Sequence, residues 1–187
     1  WALDEFKSSQ ARDISEGDWT MAAVDESAVP PAHKARGAFV DAMQRWDVAA
    51  TDAAVAGFAR SAGANDVFEA FARFGARDFR DIGHKAIYLA NSWRTLQCIG
   101  WQHAEPVLRS LAYAMLNHRG EPNPAESDLD ADRPWRQNSE RAAKIRPDWQ
   151  NGAASSQATT ELLAALRTAD APAACQSVVE ILNRGVS

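Results

Sequence analysis

Apolar residues return at every third or fourth position through one segment after another of this chain; alanine is abundant, and Val, Ile and Thr are sparse. Spacings of three and four place one apolar stripe along a helix, whereas a half-buried strand needs strict alternation. Alanine also loses the least on entering a helix. The pattern predicts an all-α fold, a single multi-helix, bundle-like domain over residues 1–187, of about eight helices with one long loop. A chain of 187 residues is long enough to bury a full hydrophobic core.

Start and stop signals divide the pattern. After Pro30-Pro31, Ala35, Phe39, Ala42, Met43 and Trp46 make one apolar face, and Val55, Phe58 and Ala62 make another behind an expected cap at Thr51. Asn65 is expected to cap a short helix that buries Val67, Phe68 and Phe71 and stops at Gly75. A long helix is predicted from Asp81 to Ile99, closed by Gly100, and Pro106 opens the next, with Val107, Leu108, Leu111, Ala112 and Met115 on its apolar face. After His118 and Gly120, a stretch to Asn138 rich in Pro, Asp, Glu and Arg lacks periodicity and is expected to be a lid or a wrapping arm. Helices around Leu162, Leu163 and Leu166, and after Pro172 with Cys175, Val178, Val179 and Leu182, are predicted to form a C-terminal hairpin.

Several classes are argued against. The net charge is −5 and the Lys and Arg residues are scattered among the acids, so no broad cationic surface faces a phosphate backbone and no nucleic-acid partner is expected. The richest apolar segment, Val107 to Leu116, is interrupted by Arg109 and Ser110 and falls short of the roughly 20 residues that cross a bilayer, so no membrane span is expected. Cys98 and Cys175 form no CxxC pair, and each falls in a helical pattern where a free thiol packs as a small hydrophobe. That leans toward a reducing compartment, the cytoplasm. The chain begins at Trp1 with an amphipathic segment already under way, and it reads as a piece of a longer protein, so a missing secretion signal carries little weight.

The long helix carries the unusual chemistry. Successive helix residues turn by about 100°, so Asp81, His84, Tyr88, Asn91 and Thr95 share one stripe, opposite Ile82, Ala86, Leu89, Trp93 and Leu96. A solvated face is ordinarily Lys, Glu and Arg, whereas this one offers imidazole, phenol, amide and hydroxyl groups. Two readings stay open. One is an interhelical hydrogen-bond network that sets packing register. The other makes His84 a metal ligand or general base with Asp81 orienting it, although an aspartate at a helix start also satisfies free backbone amides. His103 is the second candidate ligand and Glu105 joins the polar shell, but about five helical turns, roughly 25 Å, separate His84 from His103 unless the chain doubles back.

Other motifs carry less. His118 suits the end of its helix, and His33 reads as a surface residue. No HxxxH, ExxH or HxH spacing occurs, so the remaining ligands of a metal site would come from a missing N-terminal segment or a partner chain. Asp128, Asp130 and Asp132 imitate a calcium loop, yet Arg133 and Ser139 stand where glycine and glutamate are needed. No Gly-rich phosphate loop or GxSxG elbow is present. Trp46 and Trp93 belong on apolar helix faces, while Trp19, Trp135 and Trp149 lie in loop-like stretches, where they staple loops or meet a partner.

The segment from Ala53 through Trp101, above all Gly75-Ala-Arg-Asp-Phe-Arg-Asp-Ile-Gly-His-Lys-Ala-Ile-Tyr, resembles the His-bearing helical regions of the questin oxidase-like family and related uncharacterised bacterial helical domains, some of them fused to Rieske domains. The resemblance covers about a quarter of the chain. It implies an all-α fold, histidines gathered from several helices around a non-haem iron, and oxidative ring chemistry on aromatic polyketides, with His84 the one ligand carried across. Two functions follow as expectations: a helical part of a metal-dependent, iron-using oxidoreductase, with His84 on the metal and Asp81, Tyr88 and Asn91 around it, or a non-catalytic helical interaction or scaffold module that docks another chain.

Overall fold

The computed structural model describes residues 2–16, 20–77, 80–118, 120–151 and 155–184. Among them the chain is all-α, as its periodicity predicts, and no strand occurs. The helices are α1 (Ala2–Glu16), α2 (Ala32–Gln44), α3 (Val48–Ser61), α4 (Ala64–Gly75), α5 (His84–Ile99), α6 (Ala104–Met115), α7 (Arg133–Ala142), α8 (Ser156–Arg167) and α9 (Ala171–Arg184), with 3-10 turns at Arg80–Gly83 and Trp101–His103. Two compact units emerge, one of Trp1–Ala72 with Ile87–Asn117, the other of Arg73–Ala86 with His118–Ser187.

In the first unit α3 is the central element, packed against both α2 and α6. Every residue from Ala53 to Ala59 is buried, so this helix is covered all round, and its run of small side chains is what lets its neighbours come close. Gly57 marks a close approach of the stretch before α2, because a Cβ there would stand 2.9 Å from the carbonyl oxygen of Pro30. Phe39 of α2, fully buried, joins three helices: its ring centroid lies 4.5 Å from that of Phe71 on α4 and 5.7 Å from that of Phe58 on α3.

Three local boundaries differ from the sequence expectation. Asp47, not Thr51, caps α3, its Oδ1 accepting from the Ala50 amide at 2.9 Å, which leaves Thr51 one turn inside the helix and buried. Trp46 is buried as expected but lies beyond the end of α2 in a left-handed turn (φ 57°). Asn65 sits in the first turn of α4 rather than before it.

Arg109 interrupts the apolar run of α6, and the structure gives the interruption a purpose. Its side chain is 9% exposed; Nε and Nη2 donate to the two carboxylate oxygens of Asp52 at 2.7 and 2.8 Å, and Nη2 also donates to the Ala22 carbonyl at 2.7 Å. The fork joins α6 to α3 and to the stretch before α2, and the Asp52 carboxylate raises the Arg109 pKa.

The second unit is organised around another buried arginine. Arg80 forks onto both oxygens of Asp132 at 2.8 and 2.9 Å and donates Nε to Glu121 at 2.6 Å, with the Arg80 and Asp132 side chains each 7% exposed. The expected unperiodic stretch to Asn138 is therefore shorter: α7 starts at Arg133, behind Asp132 and with Pro134 in its first turn. Trp135 staples this helix down by donating Nε1 to the Arg73 carbonyl at 3.1 Å. Asp128 and Asp130 pair with Arg133, and Asp128 also with Arg136, so the acidic run is bridged by arginines, which hold the Asp128 carboxyl below its usual pKa. The C-terminal hairpin forms as predicted, α8 against α9, yet Leu163, Leu166 and Val178 from its apolar stripes are exposed.

The start of the long helix is also revised. Residues Arg80–Gly83 form a 3-10 turn, and α5 begins at His84 after two left-handed residues, Ile82 (φ 52°) and Gly83 (φ 88°). Gly83 meets that conformation without strain, whereas Ile82, β-branched and 90% exposed, does not belong to the apolar face expected of it. Ala86 of the same expected face is exposed too, while Lys85 beside it is buried. Gly100 closes the helix as predicted, its amide bonding to the Leu96 carbonyl at 2.9 Å.

Two stability measurements follow. Asp132→Ala leaves a guanidinium buried without its fork and should lower the unfolding free energy by about 3–5 kcal/mol in urea titrations. Ile82→Asn relieves a left-handed β-branched residue without removing buried surface and should raise it by roughly 0.5–1 kcal/mol.

Candidate functional site

Within the first unit, α5 and α6 are separated by an open groove of about 470 Å³. From α5 it is lined by Tyr88, Asn91, Ser92 and Thr95, which recur at intervals of three and four, and from α6 by Pro106, Val107, Ser110, Leu111 and Ala114. The polar stripe read from the sequence thus forms one wall. Tyr88 is 37% exposed, and Asn91 and Thr95 are exposed as well, so these side chains do not form a buried register-setting network. Among the described residues, no ionisable acid or base other than the Tyr88 phenol lines the groove. Val107 and Leu111 supply apolar surface, and Ser92, Ser110 and Ala114 are small enough to admit another backbone.

The base of α6 and the end of α5 are held by aromatic and ionic contacts. Phe68 of α4 stands edge-on to Trp93 of α5, centroids 4.5 Å apart, and 6.4 Å from Trp101 in the turn that follows. Arg60 of α3 reaches Glu105 of α6 at 2.7 and 3.1 Å and Glu26 at 2.7 and 2.8 Å. The hydrogen bonds that Arg60 donates to Glu26 and then to Glu105 push its pKa up, and Arg60 in turn holds the Glu26 carboxyl below its usual value.

The other residues singled out in the sequence are dispersed. His84 is the half-buried first residue of α5 and is not part of the groove lining. Asp81 lies in the 3-10 turn before it, its side chain outside the described residues. His103 is exposed at the end of the turn Trp101–His103, beyond the far end of α5. Glu105 spends both carboxylate oxygens on Arg60. Among the described residues no three His, Cys, Asp or Glu side chains come together to hold a metal ion, so the donors an iron centre needs do not assemble there. Cys98 is exposed rather than packed as a small hydrophobe, Cys175 is half-buried, and both are free thiols. Trp19 lies outside the described residues, and Trp149 is 38% exposed. No described helix is long and apolar enough to cross a membrane.

Sequence reasoning found the α5 wall and missed its counterpart. Ser110 and Ala114 sit beside the apolar positions of α6 and recur four apart, a spacing that could have marked a second contact face. Because the groove residues are exposed, Asn91→Ala and Thr95→Ala should each change the unfolding free energy by less than about 0.5 kcal/mol, whereas a packing network would lose more. Comparison with known proteins adds no relative: no protein-family model, curated protein or solved structure matches the chain.

Proposed function

We propose that this chain is a non-catalytic helical interaction module whose α5–α6 groove docks an amphipathic helix of another chain. The supporting observation is the pairing of two walls at helical-contact spacing, Tyr88, Asn91, Ser92 and Thr95 across from Val107, Ser110, Leu111 and Ala114, open to solvent and with no formal charge among these described residues. Side chains at such spacing form the ridges between which a third helix seats its own. The apolar pair Val107 and Leu111 sets an apolar stripe on the occupant. Ser92, Ser110 and Ala114 require small side chains where the backbones approach, and Asn91 and Thr95 supply hydrogen bonds that fix its orientation. Tyr88 is the aromatic anchor at one end. The lining extends over two to three helical turns, about 12 Å, which suits a reversible contact more than a permanent one.

The iron-dependent alternative lacks a comparable support, since its donors are not gathered among the described residues. Photo-crosslinking amino acids placed at Asn91 and Ser110, in cells that naturally make the protein, should capture one and the same partner chain, and Ser110→Arg should abolish capture from Asn91 while circular dichroism remains unchanged. Crosslinking no stronger than from Gln97, an exposed control position on α5 outside the groove lining, would sink the proposal. So would stoichiometric iron in the native protein that disappears with His84→Ala.

A further inference from the structure

A second and more enclosed cavity, of about 330 Å³, lies on another side of α6, between that helix, α3 and the stretch before α2. Met21, Val48, Ala49, Ala112, Tyr113 and Leu116 give it predominantly apolar walls. Its volume falls at the lower end of small-molecule pockets, which run from roughly 300 to 1,000 Å³. Space of that size takes one or two fused rings, or an aliphatic chain of similar bulk.

The polar groups at this cavity define what the occupant must carry. Arg109 borders it, but its guanidinium is already forked onto Asp52 and bonded to the Ala22 carbonyl, so the charge is balanced in place and no anion is called for. Asp52 borders the cavity as well, its side chain 31% exposed, and each of its oxygens retains lone pairs after accepting from Arg109. Thr51, the adjacent lining residue, is 1% exposed, and its Oγ1 is buried with no hydrogen-bond partner. A helical threonine ordinarily bonds back to the carbonyl four residues earlier. Here that carbonyl, of Asp47, receives the Thr51 amide at 2.9 Å, while the hydroxyl stays unmet. Threonine in a helix divides between two χ1 rotamers, so this hydroxyl has a second position from which to meet a ligand.

We infer that this cavity is a binding site for a neutral, mainly apolar small molecule bearing one hydroxyl. The ligand hydroxyl accepts from Thr51 Oγ1 and donates to the Asp52 carboxylate, while its ring or chain fills the space against Val48, Ala112 and Leu116. Binding meets the hydrogen-bonding capacity of the threonine and adds no charge to a balanced ion pair. The site is separate from the α5–α6 groove and does not rest on the docking proposal.

Titration with 2-naphthol and naphthalene, followed by probe fluorescence, tests this on the full chain. One 2-naphthol should bind per chain, about tenfold more tightly than naphthalene, the worth of one net hydrogen bond. Thr51→Val, which keeps the shape of the side chain, should cut that preference at least threefold and leave naphthalene binding intact. Ala49→Phe, at an exposed lining position, should exclude both probes with the circular dichroism spectrum unchanged. Absence of saturable 2-naphthol binding, binding indifferent to Ala49→Phe, or a preference undiminished by Thr51→Val would each overturn the assignment.

Discussion

A guanidinium removed from water must find its hydrogen bonds inside the protein, and Arg109 and Arg80 are two of the buried arginines that impose that requirement. Arg109 meets it with Asp52, 57 residues away, and with a backbone carbonyl; Arg80 meets it with Asp132, 52 residues away, and with Glu121. Each fork fixes distance and angle together, because two parallel N–H···O bonds tolerate little rotation. Arg109 thereby sets α6 on α3 and holds the stretch around Ala22 against them. Arg80 gives an otherwise unperiodic, acidic segment a fixed anchor, and α7 begins at the residue after Asp132.

Once α6 is set on the alanine-rich surface of α3, most of its residues divide among three surroundings. Leu108 and Met115 are fully buried in the core. Val107, Ser110, Leu111 and Ala114 face the groove beside α5, and Arg109, Ala112 and Tyr113 border the enclosed cavity. A single short helix can serve three surfaces because its neighbours on α3 are small, so little of its circumference is consumed by packing. The groove and the cavity are consequences of that economy of contact rather than of any one polar residue.

Much of this was legible in local pattern. The period of three and four along α2, α4 and α6 identified Phe39, Phe71 and Leu108 as core, and the stripe through Tyr88, Asn91 and Thr95 was correctly placed on one helical face. Its surroundings were not legible, since the same periodicity serves a face buried in a network and one lining an open groove. Nor could spacing show that Glu105 would be occupied by Arg60, a residue 45 positions earlier. Helical phase puts Ile82 and Ala86 opposite the polar stripe; Ile82 leaves that face because the helix starts only at His84, after two residues whose left-handed backbone breaks the phase, while Ala86, inside the helix, is exposed there.

By itself the sequence determined the helical class, most helix boundaries to within a turn, and which side chains could share a face, because these depend on backbone periodicity and on caps acting over a few residues. Only tertiary structure decided that Arg109 and Arg80 are buried anchors, that Thr51 is an interior hydroxyl rather than a cap, and that α5 and α6 leave a groove between them. Those outcomes depend on partners tens of residues away, and desolvation and pairing act through space without regard to distance along the chain.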